Sequence, residues 1–538
     1  MQAEPVIEKR RRPFARFGPW FGLMLILLLV ALVRIRLLEM PLERDEGEYA
    51  YAGQLILQGI PPYELAYNMK LPGTYFAYAL GMALFGQTSA GVHLMLLVVN
   101  ALTILFMFLL GRKISGTAGG LAASVSYALL STSTAVLGMA AHATQFVVLF
   151  AVPGTLLLWS ALETRCRRTI FFCGLFYGLA FLMKQQGICF GVFGFLVLLG
   201  REKIDSGSKL DSARRLGVYL AGAFLPFALV CVYLSGAGVF PQFWFWTFSY
   251  ARAYAAGTPL SEGVGYLLDY LREQKGIFVC FVILACAGLL VALRRGTEQK
   301  RISFALLFLF FSFLGTVPGL YFRQHYFVLL LPALALLVGM AVVYLESFSH
   351  KLVPVVLLSV VLAWGVHLER WVFWKLPPLP IAQGLYGDNP QEESAIVAKY
   401  IREHSAKDAR VAVVGSEPQI YFYADRHSAT GYIYTYPLME NQPYAVTMQQ
   451  SMIAEIEAAK PEFLIIVVNR YSWLVNQSSH LEILHWAREY TATNYDRVGI
   501  VDCRANQPRV ELWDDAVKNY PSAPDQFLDV YRRKVKSD

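Results

Sequence analysis

The sequence predicts a polytopic α-helical membrane protein carrying a C-terminal α/β domain outside the lipid. Three observations lead there. Of 538 residues, 56% are hydrophobic and only 16% charged, against roughly 25% charged in a soluble domain. Apolar runs of about 17 to 21 residues recur through the first 370 positions, each long enough to cross roughly 30 Å of hydrocarbon. Beyond Trp371 the composition becomes that of an ordinary globular domain for well over a hundred residues. A soluble cytosolic enzyme is excluded.

Taken in order, the basic residues Lys9, Arg10, Arg11, Arg12 and Arg16 precede an uncharged run from Phe17 to Val33 with no small-residue cleavage pattern behind it. This reads as a short cytoplasmic N-terminus (residues 1–18) and an uncleaved first span. Further apolar segments run at 92–111, 114–138, 143–162, 169–183, 187–200, 216–235, 276–293, 302–320, 326–345 and 352–368, making eleven. With the N-terminus inside, the inner segments hold twenty Lys and Arg and the outer ones nine. That bias favours this orientation, and an odd count puts the terminal domain outside. The expected layout is a transmembrane region at 19–375 and a soluble extracytoplasmic domain at 376–538.

Two connections carry pattern of their own. The short segments 169–183 and 187–200 meet at Lys184-Gln185-Gln186 and form a hairpin from the inner side. Interrupted short spans point to a binding site, because polar groups at depth need protein or a water-filled cavity around them. The first outer loop (39–89) predicts a helix over Glu46–Gln58, ended by Gly59 and Pro61-Pro62. A second helix follows, with Pro72 in its first turn and Tyr75, Phe76, Tyr78, Ala79 and Met82 along it. Both are expected in the membrane interface. The second outer loop, Phe240 to Lys275, is rich in aromatics and is expected at headgroup level.

After about Tyr386 helix and strand alternate: helix over Glu392–Ser405, strand over Arg410–Val414, helix over Pro443–Lys460 and strand over Glu462–Val468. A helix at 480–490 and strands near 496–501 and 508–513 complete a small sheet. No GxGxxG or Walker motif occurs. Of seven cysteines, six lie in or beside spans and Cys503 lies in the terminal domain, a distribution that suits neither a disulfide framework nor a zinc site. The net charge of +8 comes from residues beside the spans. It is a topology signal and not the basic stripe of a nucleic-acid binder.

The chemistry-bearing feature is Glu43-Arg44-Asp45-Glu46-Gly47-Glu48, directly after the first span, with Lys70-Leu71-Pro72-Gly73 in the same loop. A carboxylate at a cavity mouth can deprotonate an acceptor hydroxyl or amine, and a nearby ammonium can stabilise a departing phosphate. Asp45 and Glu46 at a helix start would also serve as caps in a purely structural reading. His142, Lys184, Arg323, His325 and Tyr326 lie at span ends on the same side. A single histidine there is more simply a packed one. An ammonium between two apolar half-spans needs a partner and is a functional hypothesis by default. Five separate outer connections thus supply polar groups while span interiors supply almost none.

On these residues the chain resembles the GT-C superfamily of glycosyltransferases, in the bacterial branch related to protein O-mannosyltransferases and the lipid A aminoarabinose transferase. Arg44-Asp45-Glu46 matches the first-loop acidic motif, and Lys70-Leu71-Pro72-Gly73 loosely matches a Lys-Pro-Pro-like element. Gly178-Leu-Ala-Phe-Leu-Met-Lys184 resembles the hairpin segment, and His325-Tyr326-Phe327 through Leu331-Pro332 resembles the His-Tyr-Phe then Leu-Pro run. The second acidic residue of many relatives is replaced by Ala141-His142-Ala143, and the Trp-Trp-Asp signature of oligosaccharyltransferases is absent.

The resemblance implies a GT-C-like fold in the cell membrane and inverting transfer of a sugar from a polyprenyl-phosphate donor to a lipid, glycan or protein acceptor on the outer face. Nucleotide sugars stay in the cytoplasm, so outward-facing chemistry calls for a lipid-borne donor. Asp45 is then the base and Glu46 a supporting carboxylate. Lys70, Lys184 and Arg323 contact the donor phosphate, and His142, His325 and Tyr326 lie near the sugar or leaving group. No metal ligands are assigned; a divalent metal stays open as a cofactor because the family's metal use is uneven. The rival class is a transporter or flippase, whose sites lie at the midplane on broken helices related by a repeat; no internal repeat is evident here.

Overall fold

The computed structural model describes residues 14–204, 208–295, 298–502, 509–520 and 526–534. Lys9 to Arg12 and Cys503 lie outside them. The membrane region consists of α1 (Phe14–Arg36), α2 (Arg44–Leu57), α3 (Gly73–Phe85), α4 (Ser89–Ser131), α5 (Ala143–Thr164), α6 (Arg167–Met183), α7 (Ile188–Ile204) and α8 (Lys209–Gly236). After these come α9 (Phe240–Trp244), α10 (Ala251–Ala256), α11 (Leu260–Glu273), α12 (Lys275–Arg295), α13 (Gln299–Leu314), α14 (Leu331–Glu346) and α15 (Leu352–Leu368). Six described helices are each long and apolar enough to cross a bilayer. Each of the eleven expected segments lies mainly on helix: 92–111 and 114–138 share the 43-residue α4, 302–320 outruns α13, which ends at Leu314, and α6, α7, α13 and α15 are only 16 or 17 residues long. The chain is a multi-pass membrane protein.

The expected break at Arg112-Lys113 falls instead at Gly116, which adopts φ 78° inside α4. Positive φ costs a side-chain-bearing residue its Cβ clearance and costs glycine nothing. The same helix ends at Ser131, before the expected 138. Residues 132–142 turn through a 3-10 segment, Thr134–Val136, with Leu137 left-handed.

Helices in lipid associate through close backbone approach rather than hydrophobicity. Gly174 and Gly178 of α6 lie against the Tyr219 and Ala223 carbonyls of α8, and Gly222 of α8 lies against the Phe171 carbonyl, so a Cβ at any of the three would collide with backbone. This crossing seats the short α6 and fixes where its end, Met183, hands over to Lys184. Leu331 to Val342 of α14 are buried without exception, and its Gly339 abuts the Gly119 carbonyl of α4.

The C-terminal domain contains α16 (Pro378–Tyr386), α17 (Gln391–His404), α18 (Gln419–Ala424), α19 (Tyr436–Met439), α20 (Ala445–Ala459), α21 (Arg470–Trp473) and α22 (Glu482–Asn494). Its strands are β1 (Arg410–Val414), β2 (His427–Ser428), β3 (Phe463–Val468), β4 (Tyr495–Asp502), β5 (Val510–Trp513) and β6 (Phe527–Arg533). They form one sheet in the order β2-β1-β3-β6-β4-β5. β1 pairs in parallel with β2 and β3, and β6 runs antiparallel between β3 and β4. Val411 to Val414 are all buried, as expected of a strand covered on both faces. The expected helices and strands are present with ends shifted by a few residues; β2 and β6 were not foreseen.

The first-loop helix α2 departs from the interfacial placement expected of it. Glu46 to Leu55 are all buried, because α18 of the C-terminal domain packs over α2 while α3 packs beneath it. Gly47 marks the contact, since a Cβ there would lie 2.7 Å from the Gln419 Cβ.

Candidate active site

The N-terminus of α2 is closed by a reciprocal pair of hydrogen bonds. The Glu46 N–H donates to Glu43 Oε1 at 2.9 Å, and the Glu43 N–H donates to Glu46 Oε2 at 3.3 Å. This is a capping box. Glu43, rather than Asp45, is the cap. Asp45 is therefore released to project from the first turn, where it keeps 21% of its side chain accessible.

Glu46 is fully buried and acts as a tie. Its Oε1 accepts from the Ala141 N–H at 2.6 Å and lies 3.4 Å from His93 Nε2 of α4. The supporting carboxylate expected at Glu46 thus supports the scaffold: it fastens α2 to the 132–142 turn that carries His142.

Around Asp45 the loops are stitched together by backbone acceptors. Tyr63 Oη donates to the Lys70 carbonyl (2.7 Å), Gln185 Nε2 to the Met69 carbonyl (2.6 Å) and Thr74 Oγ1 to the Met183 carbonyl (2.8 Å). Loop and hairpin tip are thereby joined, bringing Lys70 and Lys184 to one place. Lys70 Nζ lies 3.8 Å from Asp45 Oδ1. Lys184, 7% exposed, has its ammonium 4.1 Å from the Tyr326 ring centroid.

His142 Nδ1 lies 3.8 Å from Asp45 Oδ2 and 3.6 Å from Glu43 Oε1, and its ring stacks on His325 at 4.3 Å. Thr144 Oγ1 donates to the His325 carbonyl at 2.9 Å and holds that pair. Arg323 is exposed, lies 5.5 Å over the Tyr321 ring and sits among Tyr254, Tyr326 and Tyr436. It connects to the others through Tyr326. Every site residue expected from the sequence therefore belongs to one neighbourhood, with Arg323 at its edge and Glu46 behind it.

The electrostatics separate the four carboxyls of α2. Burial alone would raise Asp45, but the Lys70 ammonium and the two histidines hold it well below the ordinary carboxylate value. Burial, with the Asp45 charge beside it, pushes Glu43 up to about 8. Burial likewise pushes Glu48 up to about 8; Glu48 is fully buried and accepts a 2.7 Å hydrogen bond from Tyr75 Oη. Burial would raise Glu46 as well, but His93 and the Ala141 N–H hold it below the ordinary value, so near neutral pH Asp45 and the fully buried Glu46 are ionised while Glu43 and Glu48 are neutral.

Both ring nitrogens of His142 are buried without a hydrogen-bond partner among the described residues. One donor atom each from Asp45, His142 and His325 lies within 4.8 Å of the others. A carboxylate oxygen and two imidazole nitrogens are a donor set that zinc and similar ions accept at about 2 Å. These three residues could hold a metal if they closed in slightly.

Sequence reasoning named Glu43, Arg44 and Glu48 in the acidic run without giving them a role, and missed the partners of Arg44 and Asp45 in the C-terminal domain. Glu43 was readable as the first residue of a Glu-x-x-Glu capping pattern, and Glu48 lies about one turn beyond Asp45. Arg44 pairs with Glu417 at 2.7 Å, with 7% and 0% of their side chains exposed. Tyr434 Oη donates to Asp45 Oδ1 at 3.3 Å. Both of these contacts bridge to the C-terminal domain, and no local pattern announces them.

The family described as dolichyl-phosphate-mannose-protein mannosyltransferase matches residues 70–235. The undecaprenyl phosphate-alpha-4-amino-4-deoxy-L-arabinose arabinosyl transferase of Pseudomonas aeruginosa (strain LESB58) is 34% identical over 151 residues, and the match spans 26% of this chain and 27% of that protein. The crystal structure of ArnT from Cupriavidus metallidurans bound to undecaprenyl phosphate superposes with a TM-score of 0.60 at 14% identity, covering 97% of this chain and 99% of that one. The archaeal oligosaccharyltransferase AglB from Archaeoglobus fulgidus, in complex with an inhibitory peptide and a dolichol-phosphate, gives 0.51 at 12% identity over 94% and 75%. The fold expected from the GT-C resemblance is the fold the chain has.

Proposed function

We propose that this chain is a membrane glycosyltransferase that moves a sugar from a polyprenyl-phosphate donor to an acceptor on the outer face of the cell membrane, with inversion. The observation that carries this reading is the partly accessible, ionised carboxylate of Asp45, set 3.8 Å from Lys70 in a cluster that Lys184 and the histidine pair complete. The likeness to lipid-phosphate-dependent transferases supports it, and the transporter reading has no comparable support.

Asp45 takes the proton from the acceptor hydroxyl or amine as the acceptor's lone pair attacks the anomeric carbon. The bond between that carbon and the phosphate oxygen breaks, and its electron pair leaves with the polyprenyl phosphate. Lys70, Lys184 and Arg323 neutralise the charge that builds on the leaving group. His142, His325 and Tyr326 border the sugar. A divalent ion held by Asp45, His142 and His325 would, when bound, add positive charge beside the phosphate.

In this reading the N-terminus is cytoplasmic, the chain divides near residue 375, and the sheet domain and site share the outer side. Labelling of single cysteines at exposed outer-domain positions in intact cells checks that sidedness; protection there would reverse it. The chemical test is Asp45→Asn in purified full-length protein. Release of polyprenyl phosphate from a labelled donor should fall by about a hundredfold or more, with folding and insertion intact. Retained turnover would remove Asp45 as the base.

A further inference from the structure

The outer domain reaches into the site along one segment. Residues 428–436 leave β2 and run back over the first outer loop, fastened at three points. The Tyr67 N–H donates to the Gly431 carbonyl at 2.6 Å, the Ser428 N–H donates to Tyr51 Oη at 2.8 Å, and Arg44 Nη1 donates to Tyr436 Oη at 3.2 Å. Gly431 is pressed so closely on the Tyr67 ring that a Cβ would collide with it. Between these fasteners stands Tyr434, 6% exposed, whose hydroxyl donates to Asp45 Oδ1 at 3.3 Å.

The two oxygens of Asp45 therefore have different surroundings. Oδ1 faces the Lys70 ammonium and the Tyr434 hydroxyl, whereas Oδ2 faces His142 at 3.8 Å. An oxygen that faces an ammonium at 3.8 Å and already accepts a hydroxyl hydrogen bond is the poorer proton acceptor; the other is the better one.

Resting on the proposed base role of Asp45, we infer that Tyr434 is a positioning residue supplied by the outer domain, which fixes Asp45 through Oδ1 so that Oδ2 takes the acceptor proton. Neighbouring Arg44 is gripped by Glu417, Asn389 and Tyr436 of the same domain, with its Nη1 2.6 Å from Asn389 Oδ1. The first turn of α2 is thus held on both sides of the reacting carboxylate. The outer domain is in this sense part of the active site.

The test uses Tyr434→Phe in the full-length protein, which keeps the ring packing and deletes only the hydroxyl. The probes are undecaprenyl-phosphate-linked 4-amino-4-deoxy-arabinose and undecaprenyl-phosphate-linked mannose, with release of undecaprenyl phosphate as the readout and native membranes as the acceptor source. With whichever donor the unaltered protein uses, kcat should fall about tenfold or more at unchanged KM and unchanged unfolding temperature. Tyr434→Ala should be no better. A kcat within twofold for Tyr434→Phe, or a raised KM at constant kcat, overturns the positioning role. Asp45→Asn run alongside separates the two claims. If it is inactive while Tyr434→Phe is normal, only this inference falls. If it turns over, or if neither donor is used by the unaltered protein, the base role and this inference fall together.

Discussion

Glu417→Ala should be among the most damaging single changes outside the pocket, and its cost can be worked from the contacts. The Arg44 guanidinium donates to Glu417 Oε1 from Nε (3.2 Å) and Nη2 (2.7 Å), and Ser472 Oγ donates to Glu417 Oε2 at 2.7 Å. Removing the carboxylate leaves a buried guanidinium with Asn389 and Tyr436 as its remaining partners. An uncompensated buried charge of this kind costs about 3–5 kcal/mol, whereas replacing both partners by apolar residues is often neutral. Urea titration in detergent, followed by tryptophan fluorescence, should therefore show a large loss for Glu417→Ala and recovery of most of it in Arg44→Met/Glu417→Leu. If the double variant is no more stable than the single one, or if the single one costs under about 1 kcal/mol, the pair is not the buried constraint described here.

Two further outcomes follow from the same geometry. Glu48 is raised by burial from an ordinary 4.5 to about 8, so the folded protein holds a proton there that the unfolded chain has released. Lys70, Lys184, Asp45 and Tyr75 are the charged and titratable groups that face it. Its contribution to stability should decline as pH rises from about 4.5 to about 8 and level off above. Glu48→Gln should flatten the pH dependence of the unfolding temperature over that window; an unchanged profile would mean Glu48 is ionised in the fold. Gly73→Ala should separate loop from hairpin, because a Cβ there would lie 2.5 Å from the Leu182 carbonyl oxygen. Activity should fall through donor KM as Lys70 and Lys184 part, and an unaltered KM would show that their spacing is not set by this contact.

What the sequence revealed and what it hid divide along local and non-local lines. The helical spans were legible because lipid demands uninterrupted apolar helix. The strand Arg410–Val414 was readable from a continuous apolar run in a sheet interior. Asp45, Lys70, Lys184 and His325 stood out because ionisable residues at span ends are costly. The purely structural reading put the cap at Asp45 and Glu46, and only the extended backbone and side-chain hydrogen bond of Glu43 show that it is the cap. The burial of α2 was invisible because its second face is covered by α18, contributed from about 370 residues away. β6 was not foreseen, although it pairs with both β3 and β4.

The hydrogen bond from Tyr434 to Asp45 joins positions separated by 389 residues. During synthesis the acidic turn emerges from the ribosome early, whereas the hydroxyl that restrains it arrives only after the last span and two of the six strands have been made. A partly made chain would therefore carry every helix of the membrane region and still lack the hydroxyl that restrains the acidic turn.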